Sequence, residues 1–185
     1  MVAICTRFCS TQEEFDLVFA NLKVSACPHC KCVGTLIRHG VLRGNGQGTE
    51  RKSVRAYRIF CSNRSRAKGC GRTFSIWLAD KVKRLRLNAN DLWTFLKQAV
   101  TCGNKMQAFR SLNWELSDSA PYRIWKRFVE AQAAIRTALH PMCKPPDVIS
   151  NQPAATTLAH LEAAFTRHPC GPIAAFQATL QTSFL

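Results

Sequence analysis

Two cysteine pairs, Cys27 with Cys30 and Cys61 with Cys70, constrain what this chain can fold into more than any other feature. The first, Cys27-Pro28-His29-Cys30, has the spacing with which one turn presents two thiolates to a single ion. The second encloses residues 62–69 and is looser than the roughly two to four residues usual in such a knuckle. Four thiolates would complete a tetrahedral zinc site, and pairs distant in sequence let the ion staple strands that could not bury a core by themselves. The residues between the pairs agree. Stretches 34–40 and 56–61 alternate as half-buried strands do, while 43–51 is rich in Gly and polar residues, as a hairpin loop should be. The order is knuckle, strand, loop, strand, knuckle, with 70–75 running into a further short strand.

Other donors compete for the ion. Cys32, two residues past Cys30, would clash with a standard knuckle; His29 sits inside the turn and is expected to point outward; His39 reads as a strand or turn residue. Because the second knuckle is irregular, Cys61 is the least secure of the four ligands, and Cys32 or His39 in its place stays an alternative. The ten cysteines could instead form disulfides, but residues 1–10 lack a basic stretch followed by an apolar one, so a reducing compartment with free thiols is expected. Cys5, Cys9, Cys102, Cys143 and Cys170 have no ligand-like spacing and read as small buried hydrophobes. No apolar run approaches the roughly 20 residues of a bilayer crossing, which points to a soluble, cytoplasmic protein with no membrane partner.

The chain carries 26 Lys and Arg against 11 Asp and Glu, a net charge of +15 that is unevenly spread. Between residues 31 and 86, fifteen basic residues face only Glu50 and Asp80, so +13 of the total lies in the stretch that follows the first cysteine pair and contains the second. A charge run by itself is an ordinary solvated face, but around a metal knuckle it points to a polyanion, nucleic acid first. Arg38, Arg43, Arg51, Lys52, Arg55, Arg58, Arg64, Arg66, Lys68 and Arg72 are the candidates for phosphate contact.

Cys27-Pro28-His29-Cys30, Arg38-His39-Gly40, Tyr57-Arg58 before Cys61, and Cys70-Gly71-Arg72-Thr73-Phe74-Ser75 together resemble the zinc ribbon at the front of bacterial insertion-sequence transposases and related mobile-element proteins. The likeness spans residues 27–75 and departs from the family at the insertion between Cys61 and Cys70, where the family has a short spacer. The inserted Asn63-Arg64-Ser65-Arg66-Ala67-Lys68 is basic and reads as an enlarged loop touching phosphate. The resemblance implies one structural zinc ion and a bacterial setting.

From residue 90 the apolar period changes from two to about 3.6. Leu92, Phe95, Leu96 and Ala99 mark one face of a helix capped by Asn90 or Asp91 and stopped by Cys102-Gly103-Asn104. A second helix, 105–112, would bury Met106, Phe109 and Leu112. A third starts near 117–119 and carries Tyr122, Trp125, Phe128, Val129, Ile135 and Leu139; Asp118 or Ser119 is its better cap, because Pro121 is harmless only in a first turn. Residues 105–128 resemble, more weakly, the helix-turn-helix of transposase- and resolvase-type proteins, with Asn113-Trp114-Glu115-Leu116-Ser117 as the turn; a plain helical bundle is the alternative. On that reading Ser119, Tyr122, Arg123, Lys126 and Arg127 face DNA, while Trp93, Trp125 and Phe128 are core.

The expected chain is α+β: a helix or arm at 1–24, a basic β zinc ribbon at 25–87, a helix-turn-helix at 88–140, a linker at 141–157, and an amphipathic helical tail at 158–185. The tail would either pack on the body or bind a second copy or another protein. The resembled transposases carry a catalytic domain whose acidic residues hold metal ions, whereas after Leu139 the acids here are Asp147 and Glu162. A non-enzyme is therefore expected: a sequence-specific binder of double-stranded DNA, serving as a regulator or as the recognition subunit of a catalytic partner. An RNA-binding zinc protein and an assembly module built on the helices are the competing readings, although the strands lack the aromatic studding of single-strand stacking surfaces. A zinc enzyme would need an open coordination position, which four thiolates close.

Overall fold

A computed structural model describes residues 6–44, 53–64, 66–147 and 152–185. Its elements run β1 (Thr6–Cys9), α1 (Gln12–Ala20), β2 (Leu36–Gly44), β3 (Ser53–Cys61), β4 (Thr73–Leu78), α2 (Ala89–Cys102), α3 (Lys105–Arg110), α4 (Ala120–Leu139), α5 (Pro153–Phe165) and α6 (Pro172–Leu180). The strands form one mixed sheet in the order β1-β4-β3-β2; β2, β3 and β4 pair antiparallel and β1 joins β4 parallel. The chain is thus α+β, as expected. No helix among the described residues is long and apolar enough to cross a membrane.

Alternation along β3 sends Tyr57, Ile59 and Cys61 to one face of the sheet and Ala56, Arg58 and Phe60 to the other. The first face is covered by α1, whose Phe15 and Phe19 rings lie 5.0 and 4.5 Å from the Tyr57 ring. These rings close a small core with Leu36, Ile59, Phe74, Ile76 and two of the knuckle cysteines. On the opposite face, Phe8 and Trp77 at the β1–β4 end join the larger core of the helices. At the β2–β3 end that face is open, with Ile37, His39 and Arg58 exposed.

The N-terminal arm is therefore a structural part of the sheet. Residues 6–9 pair with β4 through Thr6–Ser75, Arg7–Ile76, Phe8–Trp77 and Cys9–Leu78. Four residues are too few to show a period of two, so only the tertiary pairing reveals this strand. Its outer edge is closed by Gln181, whose amide accepts from the Phe8 N–H (2.9 Å) and donates to the Phe8 carbonyl (2.9 Å), as a neighbouring strand would.

In the helical part the first helix starts two or three residues earlier than the sequence suggests. Asn88 is its cap, accepting the Asp91 N–H at 2.7 Å. Asn88 is fixed there by a bridge to Lys81 and by the bond from Ala89 N–H to the Asp80 carbonyl (2.7 Å). Gly103 ends the helix at φ 66°, and Asn104 caps α3 by accepting from the N–H groups of Met106 and Gln107. Ser119 precedes α4 with Pro121 in the first turn, as expected, but its side chain makes no capping bond. The connection from α3 to α4 is longer than the turn of the sequence reading, spanning residues 111–119. It is held by Trp114, which packs on Phe95 and Phe109 at 6.0 and 5.5 Å. Phe128 is fully buried, while Trp93 and Trp125 are half-buried with Lys97 and Lys105 over their rings.

The tail packs on the body. Leu158, Leu161, Phe165, Ile173, Phe176 and Phe184 are buried in the same core as α2 and α4. The expected linker is shorter than 141–157, because α5 already begins at Pro153, a residue whose fixed φ suits a first helical position.

Candidate metal centre and basic surface

The Sγ atoms of Cys27, Cys30, Cys61 and Cys70 all lie within 4.8 Å of one another. Two of the separations are 3.9 Å (Cys27 to Cys70) and 3.7 Å (Cys30 to Cys61). A tetrahedral ion with bonds of about 2.3 Å to sulfur requires S–S edges of about 3.8 Å, so the cluster has the dimensions of an S4 site. All four are free thiols, Cys27 and Cys61 fully buried and Cys30 and Cys70 partly so. The four residues can hold one metal ion.

Both knuckles are built by the same local geometry. In the first, Lys31 N–H donates to the Cys27 carbonyl (2.9 Å) from a left-handed conformation (φ 64°), and His29 N–H reaches Cys27 Sγ at 3.4 Å. In the second, Gly71 N–H donates to the Cys61 carbonyl (3.0 Å) at φ 70°, and Cys70 N–H reaches Cys61 Sγ at 3.3 Å. The insertion does not disturb this turn because it is pinched off at its base, where Gly69 N–H bonds the Ser62 carbonyl at 2.9 Å. A Cβ at Gly69 would run into that carbonyl and into Cys61 Sγ. Cys61 thus belongs to the cluster despite its irregular spacing. The buried Thr35 supports it, with its hydroxyl 3.2 Å from Cys61 Sγ. Sequence reasoning missed both Gly69 and Thr35; the glycine directly before Cys70 was the available signal.

The rival donors lie elsewhere. Cys32 is outside the four-sulfur cluster, its carbonyl accepting from Cys27 N–H at 2.9 Å. His39 lies on β2 with its ring 5.4 Å from Phe60. His29 does not point outward as expected: it is half-buried, edge-on to Phe74 at 6.5 Å, and its Nε2 is buried without a partner. Cys9 is the buried hydrophobe expected, with burial, and after it Glu14, pushing its thiol up to about 11. Cys102 is exposed, contrary to expectation, because it ends α2 on the solvent side; Cys5 lies outside the described residues.

Burial pushes Cys27 up to about 12 and also raises Cys70, while the Cys32 backbone N–H holds Cys30 down to about 6. Left to themselves Cys27, Cys30 and Cys70 ionise unequally; a bound cation favours their thiolates together.

Of the basic residues proposed from sequence, Arg38, Arg43, Arg58, Arg64, Arg66, Lys68 and Arg72 are exposed. Arg51 and Lys52 lie outside the described residues. Arg55 is turned inward: its guanidinium donates to the Val82 carbonyl at 3.0 Å and is partly desolvated, so it ties β3 to the connector after β4 instead of facing a phosphate. Among the described residues, none of Arg38, Arg58, Arg64, Arg66, Lys68 and Arg72 forms an ion pair. Arg64 instead lies over the Phe60 ring at 5.6 Å and Arg38 over Phe19 at 4.5 Å. On α4, Ser119, Tyr122, Arg123 and Lys126 are exposed and Arg127 is half-buried.

No family model, characterised protein or solved structure matches the chain. What the geometry supports is a mixed α+β protein with a four-cysteine cluster able to hold a metal ion and an exposed basic surface beside it.

Proposed function

We propose that this chain binds double-stranded DNA in a sequence-specific way, as a regulator or recognition subunit of the mobile-element type its zinc ribbon resembles, with one structural zinc ion and no catalytic role. Zinc suits four thiolates in a closed tetrahedron, which leaves no position for a substrate. The observation that carries the reading is the set of six exposed cations, Arg38, Arg58, Arg64, Arg66, Lys68 and Arg72, on and around the metal unit, none of which forms an ion pair among the described residues. Surface cations usually have acids interspersed among them. Cations without such neighbours gain by displacing the counterions of a phosphate backbone.

In this reading the ribbon grips phosphate and the exposed side of α4 reads bases. The test is a pair of affinities for each variant, one for a duplex selected from a random library and one for its scrambled sequence. Arg64→Ala and Arg66→Ala should weaken both duplexes equally and flatten the salt dependence. Lys126→Ala should weaken the selected duplex by roughly 1–3 kcal/mol and spare the scrambled one. Parallel losses in Lys126→Ala would remove α4 as the reader, and binding that ignores salt would remove the DNA reading itself.

One observation favours a second reading. The half-buried Phe60 ring on the open sheet face, flanked by His39 and Arg64, is a platform on which an unpaired base could stack. Preference for single-stranded RNA over duplex in the same titrations, lost in Phe60→Ala, would select it.

A further inference from the structure

The connector between β4 and α2 alternates buried and basic residues: Val82 and Leu87 are fully buried, while Arg84 and Arg86 are exposed. The bond from Leu85 N–H to the Val82 carbonyl (3.3 Å) and the Lys81–Asn88 bridge fold the connector tightly. Arg84 stands at its tip in the left-handed region (φ 61°), a conformation that is costly for a residue with a side chain. Facing it is the start of α4, where Arg123 and Arg127, four residues apart, share one side of the helix.

Between the connector and α4 lies a cavity of about 370 Å³. All four arginines line it, over an apolar floor that includes Leu116 and Ile124, and no carboxylate is among its lining residues. Arg127 is held below the usual arginine range by burial first and by the repulsion of Arg84 second, and Glu130 offsets this least of the three. Arg123 donates to Ser117 Oγ at 3.2 Å, a neutral partner. The first residue of α4, Ala120, also lines the cavity, so the positive end of a long helix adds to the four guanidinium groups. Arg84 and Arg127 repel each other across this concave site unless an anion enters it.

We infer that the cavity between Arg84, Arg86, Arg123 and Arg127 is a phosphoryl-anion site, and that its ligand is a phosphodiester of the DNA backbone. The guanidinium forks suit phosphate oxygens, and the apolar floor suits the sugar carbons beside them. The site joins the basic stretch after the sheet to the helix proposed to read bases, so one phosphate held there fixes the register of α4 on the duplex. The choice of DNA as the source of the phosphate rests on the function proposed above; the anion chemistry does not.

The probes are inorganic pyrophosphate and a short duplex, each titrated calorimetrically into the full metal-loaded chain. Arg84→Gly removes a guanidinium while keeping a residue that accepts the left-handed backbone, and Arg127→Met keeps an apolar stem. Arg110→Ala removes the same charge at the exposed end of α3, outside the cavity lining, and circular dichroism and metal content check that each variant is folded. The expected result is saturable binding of one pyrophosphate per chain, weakened about tenfold or more by Arg84→Gly and by Arg127→Met but not by Arg110→Ala. Equal binding in all four proteins, or none in the unaltered chain, would overturn the site. Displacement of the duplex by pyrophosphate, with loss of duplex affinity in the cavity variants, supports a backbone phosphate as the ligand. Pyrophosphate binding without effect on the duplex would overturn that assignment in favour of a free anion. If the duplex does not bind while pyrophosphate does, the DNA-binding reading fails and the anion site stands.

Discussion

The sheet unit and the helical body solve the same problem with different means. Among the described residues the core beneath α1 has ten buried side chains, of which Cys27 and Cys61 belong to the metal cluster, whereas the helical core has twenty-five and no cluster cysteine. A core as small as the first does not hold strands together well on apolar burial alone, which is where metal–thiolate bonds contribute most. The second is large enough to stand on burial, with Phe95, Leu96, Phe128 and Leu139 fully enclosed. The two share the sheet, since Phe8 and Trp77 face the helices while Cys9 and Ile76 face the metal side. The comparison suggests that metal and apolar burial stabilise two separable parts of one fold.

Metal removal should break the comparison most visibly, because structural zinc binding is worth about 10 kcal/mol or more. With a chelator, backbone amides at Ile59 and Phe74 should lose protection from hydrogen exchange while those at Leu96 and Phe128 keep it. Simultaneous loss would mean the fold is one cooperative unit. Metal affinity should also fall as pH drops, since the ion needs thiolates. At neutral pH loading should release protons from Cys27, raised to about 12, but little from Cys30, lowered to about 6. Calorimetry in buffers of different ionisation enthalpy counts those protons; no release would contradict the assignment.

The converse perturbation is Phe128→Ala. This side chain is fully buried against Trp125 and Phe184, at 5.8 and 6.2 Å, and its truncation should cost about 3–5 kcal/mol in denaturant unfolding. Metal content should be unchanged. A smaller effect is expected from Gly69→Ala, where a Cβ meets the Ser62 carbonyl and Cys61 Sγ; about 1–3 kcal/mol of strain should appear chiefly as weaker metal binding. Competition with a chromogenic chelator measures it. Gly103→Ala is the control, strained at φ 66° but with open space around its Cβ and remote from the cluster, so metal affinity should not move.

The finest test concerns the seam. Gln181→Ala removes both bonds to Phe8 and should cost about 1–2 kcal/mol, with exchange at β1 rising before that of β3. If β1 and β3 loosen together, the tail supports the whole sheet and the two parts are less separable than their cores suggest.

Much of this architecture could be read along the chain, because its signals are local. The spacing of Cys27 and Cys30, the alternation on either side of the hairpin loop and the apolar period of Leu92, Phe95, Leu96 and Ala99 depend on residues a few positions apart, and the elements appear where they point. Caps and ends were readable for the same reason where a glycine or proline fixes the backbone, as at Gly103 and Pro121. What the sequence could not decide were relations between distant segments. Cys61 enters the cluster because Ser62 and Gly69 pinch off the insertion, β1 exists because β4 offers it a partner, and the tail lies on the body because Gln177 and Gln181 bond Ala79 and Phe8. Arg84 and Arg127 carry no pattern that links them; they meet only where the connector folds against α4. Local sequence fixes which backbone conformations are cheap, but contacts between remote segments are settled by the packing of the whole chain, and the cavity that gathers the arginines is a product of that packing.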